Sequence, residues 1–199
     1  MKIYDLSQEV LSCCVFPGDP APKLQELASM ERGDLINLTS FSMCSHNGTH
    51  IDAPAHFLRE GNTVGQIPLE KTVGYAYVAD GEGEISAARA ADILHEAESL
   101  CPEAAKRILI KGKSTVTLEA ARVFAQRGVF LVGNESQTVG PEDSPMAVHL
   151  ELLSARVVLL EGIRLSHVPA GVYLLQAAPL NLAKAEGAPC RALLLDLRE

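Results

Sequence analysis

Residues 45 to 57 read Ser-His-Asn-Gly-Thr-His-Ile-Asp-Ala-Pro-Ala-His-Phe, and two of them restrict what this run can become. Gly48 gives up helix stability through its backbone freedom, while Pro54 lacks a donor and clashes with a preceding helical turn. Asn47-Gly48 is also a turn signal. An extended, bent conformation is therefore expected, with side chains alternating between two faces. On such a strand His50 and Asp52 share a face at about 7 Å between Cα atoms, close enough to reach one cation. His46 would lie roughly 13 Å from His50 on a flat strand, so it joins them only if the Asn47-Gly48 turn folds it back. Pro54 holds Ala53 extended and ends strand pairing, which leaves His56 as a nearby but separate group.

Three of the six histidines of the chain fall in this run. Two imidazoles and a carboxylate are the ligand set of a hydrolytic zinc or manganese centre that keeps a position open for water. A further imidazole beside them suits proton transfer. Any one of these histidines taken alone is more simply an ordinary hydrogen-bonding loop residue; the clustering around a glycine turn and a proline is what favours a metal site. Cys44, two residues before His46, is a further candidate ligand, although buried cysteine usually behaves as a small apolar residue.

With 199 residues, 47% of them hydrophobic, the chain can bury one sizeable core but not two, so a single domain over residues 1–199 is expected. A formal net charge of −8 without any basic run argues against nucleic acid and against an anionic membrane surface as partners. The start, Met1-Lys-Ile-Tyr-Asp5, has no apolar signal core, and aliphatic runs such as Val157 to Leu160 are too short to span a bilayer. A cytoplasmic protein is expected. Five cysteines, odd in number and without metal-site spacing, read as reduced thiols.

Along the chain, residues 2 to 16 read as a strand and a loop running into the rigid turn Pro17-Gly18-Asp19-Pro20. Residues 35 to 43 alternate imperfectly and are rich in β-compatible types, a strand leading into the histidine run. Another strand is expected over Val73 to Val78. Ser86 and Thr117 are N-caps for helices over residues 87–98 and 118–126, with Gly128 stopping the second. Arg107 to Lys111 and Val129 to Val132 flank that second helix as a β-α-β unit ending at Gly133-Asn134-Glu135. Ser144-Pro145 looks like a cap and first-turn proline for a helix through Ser154 that carries His149. Arg156 to Leu160 then forms a buried strand with Glu161 at its end, a layout that brings His149 and Glu161 near each other. Strands over 172–177 and 191–197 complete a mixed α/β pattern.

The run His46-Asn-Gly48-Thr49-His50-Ile-Asp52-Ala-Pro54-Ala-His56-Phe57 resembles the motif His-x-Gly-Thr-His-x-Asp-x-Pro-x-His-Phe of the cyclase family of metal-dependent hydrolases, which includes bacterial kynurenine formamidase and isatin hydrolase. Every specified position matches. The likeness continues through Asp5-Leu6-Ser7, Pro17-Gly18-Asp19, Leu160-Glu161-Gly162 and Gly187-Ala188-Pro189 with Arg191. It implies metal ligands at His46, His50, Asp52, His149 and Glu161 holding one or two divalent ions, zinc in the first place and manganese as the alternative. It implies His56 as the catalytic acid or base. It also implies a swivelling β/β/α fold, a single compact domain with a barrel-like β core and flanking helices, in a homodimer or larger assembly.

Two positions depart from the family pattern. The formamidases typically carry a pocket-lining tryptophan before Pro-Gly-Asp, where this chain has Phe16, and the usual Gly-x-Asp is Gly133-Asn134-Glu135 here. Phe16 is thus the expected substrate-binding aromatic, with less area than tryptophan and no N–H donor. The resemblance implies hydrolysis of a small amide, either an aryl formamide of the kind met in tryptophan catabolism or a cyclic amide such as isatin. A ring closure or dehydration at the same centre is one alternative. A metal-dependent binding protein without turnover is another, and it gives His56 no reason to be there.

Overall fold

The computed structural model describes residues 1–198. In chain order its elements are β1 (Lys2–Asp5), β2 (Lys23–Ala28), β3 (Leu38–Ser42), β4 (His50–Asp52), β5 (Val73–Asp80), β6 (Gly83–Ile85), α1 (Ala87–Leu100), β7 (Arg107–Lys111), β8 (Ser114–Val116), α2 (Leu118–Gln126), β9 (Leu131–Asn134), α3 (Met146–Ser154), β10 (Val158–Glu161), β11 (Gly171–Gln176), β12 (Gly187–Pro189) and β13 (Leu193–Asp196). Nine strands make one curled sheet, a half-barrel, in the order β1-β13-β11-β5-β7-β9-β10-β4-β12. The central pairs β5-β7, β7-β9 and β9-β10 are parallel, and β4 continues the sheet antiparallel to β10.

The two-residue period of the strands sorts their side chains into two cores. Ile108 and Ile110 of β7, Tyr77 and Ala79 of β5 and Leu159 of β10 face the three helices, while Leu109, Ala76, Val78, Val158 and Leu160 face the opposite side. Each helix buries a stripe at helical spacing: Ala90, Ile93, Leu94 and Ala97 on α1, Ala120, Ala121 and Phe124 on α2, and Val148, His149, Leu152 and Leu153 on α3. His149 is thus carried on the face of α3 that packs toward the sheet.

Local capping explains where the first two helices begin. The Ser86 side chain accepts from the Arg89 N–H and Thr117 Oγ1 from the Ala120 N–H, each at 3.2 Å, satisfying donors that the first turn leaves free. At α3 the expectation fails in detail. Pro145 is itself the N-cap and Ser144 turns its hydroxyl to Asp143. The strand expected over 35–43 is shorter, and it pairs not with the main sheet but with β2, an unanticipated strand, in a separate ribbon. Among the described residues no helix is long and apolar enough to cross a membrane.

Candidate metal centre

The site is assembled by strand register. β4 lies between β10 and β12, with Glu161 and Pro189 both opposite His50, and Leu159 and Gly187 both opposite Asp52. His50 and Asp52 project to one side of β4 and Ile51 to the other, into the core away from the helices. Glu161, directly across from His50, projects to that same side and meets His149 descending from α3.

His46 arrives by the fold-back that the sequence required. Gly48 takes φ 64°, a left-handed conformation open to glycine. The turn is held by the Asn47 N–H on Cys44 O and by Asn47 Oδ1 accepting from the Cys44 N–H. A Cβ at Gly48 would in addition lie 2.8 Å from Cys13 Cβ. His46 Nδ1 ends 2.8 Å from Asp52 Oδ1.

Two donor groups result, His46-His50-Asp52 and Asp52-His149-Glu161, and within each group the donor atoms lie within 4.8 Å of one another. Asp52 belongs to both. Its Oδ1 is 3.3 Å from His50 Nε2, and its Oδ2 is 3.6 Å from His149 Nε2. Glu161 Oε1 and Oε2 lie 3.2 Å from His149 Nε2 and 3.4 Å from His50 Nε2. His50 Nδ1 points to Gly48 O at 3.0 Å and His149 Nδ1 to Pro145 O at 2.9 Å, so both turn Nε2 into the site. Cys44 joins neither group.

The histidines and Asp52 perturb one another's ionisation. Burial depresses the imidazolium of His50, yet hydrogen bonds to Asp52 and Glu161 outweigh it and lift the pKa to about 10. His46 and His149 are also raised against the effect of burial, by Asp52 and by Glu161. Burial alone would push the Asp52 carboxyl up, but His46 and His50 hold it well below the carboxylate range. Asp52 Oδ2 is nevertheless a buried acceptor without a hydrogen bond, which costs free energy unless a cation meets it. Three imidazoles, a shared carboxylate and a second carboxylate fit a divalent metal.

His56 stands apart. It sits in the short 3₁₀ turn Pro54–His56, stacked on His46 with ring centroids 4.0 Å apart, and its Nε2 is 3.9 Å from Asp52 Oδ2. Burial draws its pKa below the usual histidine value, only partly countered by Asp52. A neutral imidazole is the form that accepts a proton.

A cavity of about 280 Å³ opens over these groups, lined by Phe16, Asp19, Phe57, Gln137, Thr138 and Pro145 together with the histidines and Glu161. An adjoining space of about 370 Å³ shares Phe16, Gln137 and Thr138 with it. Phe16 therefore borders both spaces. Asn134 and Glu135 have other partners: Asn134 Nδ2 donates to Ser114 O and Thr138 O, and the Glu135 carboxylate accepts from the Gly112 and Leu165 N–H groups, each at 2.7 Å. That glutamate ties strand-end loops and does not face the donor groups. Residues that sequence reasoning did not single out are Gln137, whose Nε2 donates to Gly48 O at 3.1 Å, and Glu186, beside His46. Neither lies in a motif with metal or catalytic spacing.

The "Putative cyclase" family model matches residues 4–141, and a kynurenine formamidase from Salinibacter ruber is 33% identical over 98% of each chain. The chain belongs to the cyclase family. A predicted metal-dependent hydrolase from Bacillus stearothermophilus shares this fold at TM-score 0.76, with 27% identity over 97% of both chains. Isatin hydrolase A from Labrenzia aggregata superposes at TM-score 0.79, covering 97% of this chain and 93% of its own, with 23% identity. That last likeness speaks for the fold.

Proposed function

We propose that this cyclase is a metal-dependent hydrolase that cleaves a small amide C–N bond, with an aryl formamide such as N-formylkynurenine, or a cyclic amide such as isatin, as substrate. One observation carries the reading: Asp52 is shared by two donor groups whose histidines and Glu161 line a cavity, with the imidazole of His56, its pKa lowered by burial, just outside them. The kynurenine formamidase relative supports the amide class.

His46, His50 and Asp52 would hold one ion, and Asp52, His149 and Glu161 a second. A bound zinc or manganese ion supplies Lewis acidity, polarising a carbonyl and lowering the pKa of water toward neutrality. His56 takes a proton from the attacking water as the C–O bond forms at the carbonyl carbon. It then returns that proton to the nitrogen as the C–N bond breaks, leaving an amine and a carboxylic acid that releases its own proton to solvent. Phe16 and Phe57 supply flat apolar walls for an aryl group.

The reading includes a homo-oligomer, a dimer or tetramer. Its support is the β2-β3 ribbon with its connecting segment, where Leu24, Leu27, Leu35, Ile36 and Phe41 are all exposed, because an isolated two-stranded ribbon is marginal in water. The reading also places the enzyme in the cytoplasm.

The test is turnover by purified protein, stripped and reloaded with zinc or manganese, against N-formyl aryl amines, isatin and cyclic imides. Hydrolysis of one class by the reloaded protein alone is expected. Tight binding without turnover across the panel would favour a binding protein.

A further inference from the structure

The three imidazoles of the donor groups are not oriented alike. His50 and His149 fix their Nδ1 on backbone carbonyls and offer Nε2 to the site. His46 is reversed: Nδ1 faces Asp52 at 2.8 Å, and Nε2 points away from the cluster. That Nε2 is buried and has no in-line hydrogen bond among the described residues. One carboxylate oxygen, Glu186 Oε1, lies 3.3 Å from it. The same oxygen accepts the Ser45 hydroxyl at 2.6 Å, so the carboxylate is anchored by the residue next to His46.

The backbone around Glu186 is as constrained as its side chain. Glu186 O accepts the Ala53 N–H at 2.8 Å, immediately before β12 pairs with β4. A Cβ at Gly187 would come within 2.5 Å of His46 Cε1, so the imidazole lies against bare backbone. Ala53 and Gly187 thus hold the loop in register with the strand that carries Asp52.

We propose that Glu186 is a positioning residue for the metal centre: it accepts the His46 Nε2–H, selects the tautomer that leaves Nδ1 free as the ligand, and is itself held by Ser45. This inference rests on the metal reading above. A carboxylate behind a ligating imidazole makes the imidazole more basic as well as better oriented, and loss of such a partner typically costs 10- to 100-fold in metal affinity. Among the three imidazoles, His46 is the one whose second nitrogen faces a charged side chain rather than a backbone carbonyl.

The experiment measures zinc affinity and stoichiometry of the full-length protein by competition with a chromophoric chelator, at fixed pH. Glu186→Ala should weaken the tightly held zinc by 10- to 100-fold. Glu186→Gln, which keeps an acceptor oxygen, should recover most of the loss, and Ser45→Ala should lie between wild type and Glu186→Ala. Long-range ¹⁵N imidazole spectra of the zinc-loaded wild type should show the proton of His46 on Nε2, protected from exchange, with that protection lost in Glu186→Ala. A purely structural role would move thermal stability but not the tautomer or the rescue by glutamine. The proposal is overturned if Glu186→Ala binds zinc as wild type does, or if His46 carries its proton on Nδ1. A wild type that binds no zinc overturns it together with the metal reading, so the two failures are distinct.

Discussion

At the scale of residues, Asp52 and His56 occupy different surroundings although only four positions apart. Asp52 touches both donor groups, and His56 touches neither except through ring stacking and a 3.9 Å approach to Asp52. Asp52→Ala should therefore lose metal and activity together, whereas His56→Ala should keep its metal and lose on the order of 100-fold or more in kcat/KM. Metal analysis beside steady-state kinetics checks this; equal metal loss in both would make His56 a ligand. A second expectation follows from charge. His50, at about 10, carries its proton near neutral pH in the metal-free protein, and His46 and His149 hold theirs to higher pH than an ordinary histidine. A cation must displace those protons, so affinity should rise with pH, and calorimetry in buffers of different ionisation enthalpy should register proton release. Phe16 gives a third. With Phe16 bordering both spaces, Phe16→Trp should raise the ratio of kcat/KM for a bulky over a small aryl formamide, and Phe16→Ala should weaken every aryl substrate by roughly 1 to 3 kcal/mol. A ratio unchanged across the three proteins would reduce Phe16 to a packing residue.

At the scale of elements, what could be read in the sequence is what local physics determines. Ser86 and Thr117 announce their helices because a cap bonds within its own first turn. The bend at Asn47-Gly48 and the arrest at Pro54 are likewise local, and with them came the nearness of His46, His50 and Asp52. β2 was not legible, because Lys-Leu-Gln-Glu-Leu-Ala lacks alternation and is strand only through its partner β3. β12 was hidden for the same reason: Gly-Ala-Pro has no strand preference and is held by Leu180 and β4. Glu186 shared that obscurity, since its partners Ser45 and His46 are far away along the chain. Ser144 misled because a serine before a proline resembles a cap whether or not its hydroxyl turns inward. Helix α3 then offers a test of how the site is supported. Leu152, fully buried beneath it, should cost about 2 to 5 kcal/mol as Leu152→Ala in urea unfolding. A change under 1 kcal/mol would mean that α3 is not pinned by that contact.

At the scale of the whole molecule, the parallel centre of the sheet builds a frame, and β4, antiparallel to β10 toward its far edge, carries His50 and Asp52. The apolar β2-β3 ribbon and its connecting segment project Leu24, Leu35 and Phe41 into solvent, and a homo-oligomer would cover them. Sedimentation equilibrium should show self-association that Phe41→Lys with Leu24→Lys weakens by more than tenfold in Kd, and a wild type monomeric at high concentration would refute the assembly.

The pairing of β12 with β4 has a temporal side. Strand β4, at residues 50–52, leaves the ribosome early, but its neighbour β10 follows only at residue 158 and its other neighbour β12 only at residue 187. A nascent chain exposes His46, His50 and Asp52 long before anything can hold them in place, and a loose tripartite chelator binds far more weakly than a framed one. A cation that needs the framed site would thus be acquired only at the end of synthesis. A chain that stops short of residue 187 lacks the strand that pairs with the outer side of β4, and a metal supply in the cell would meet this protein almost entirely as a finished fold.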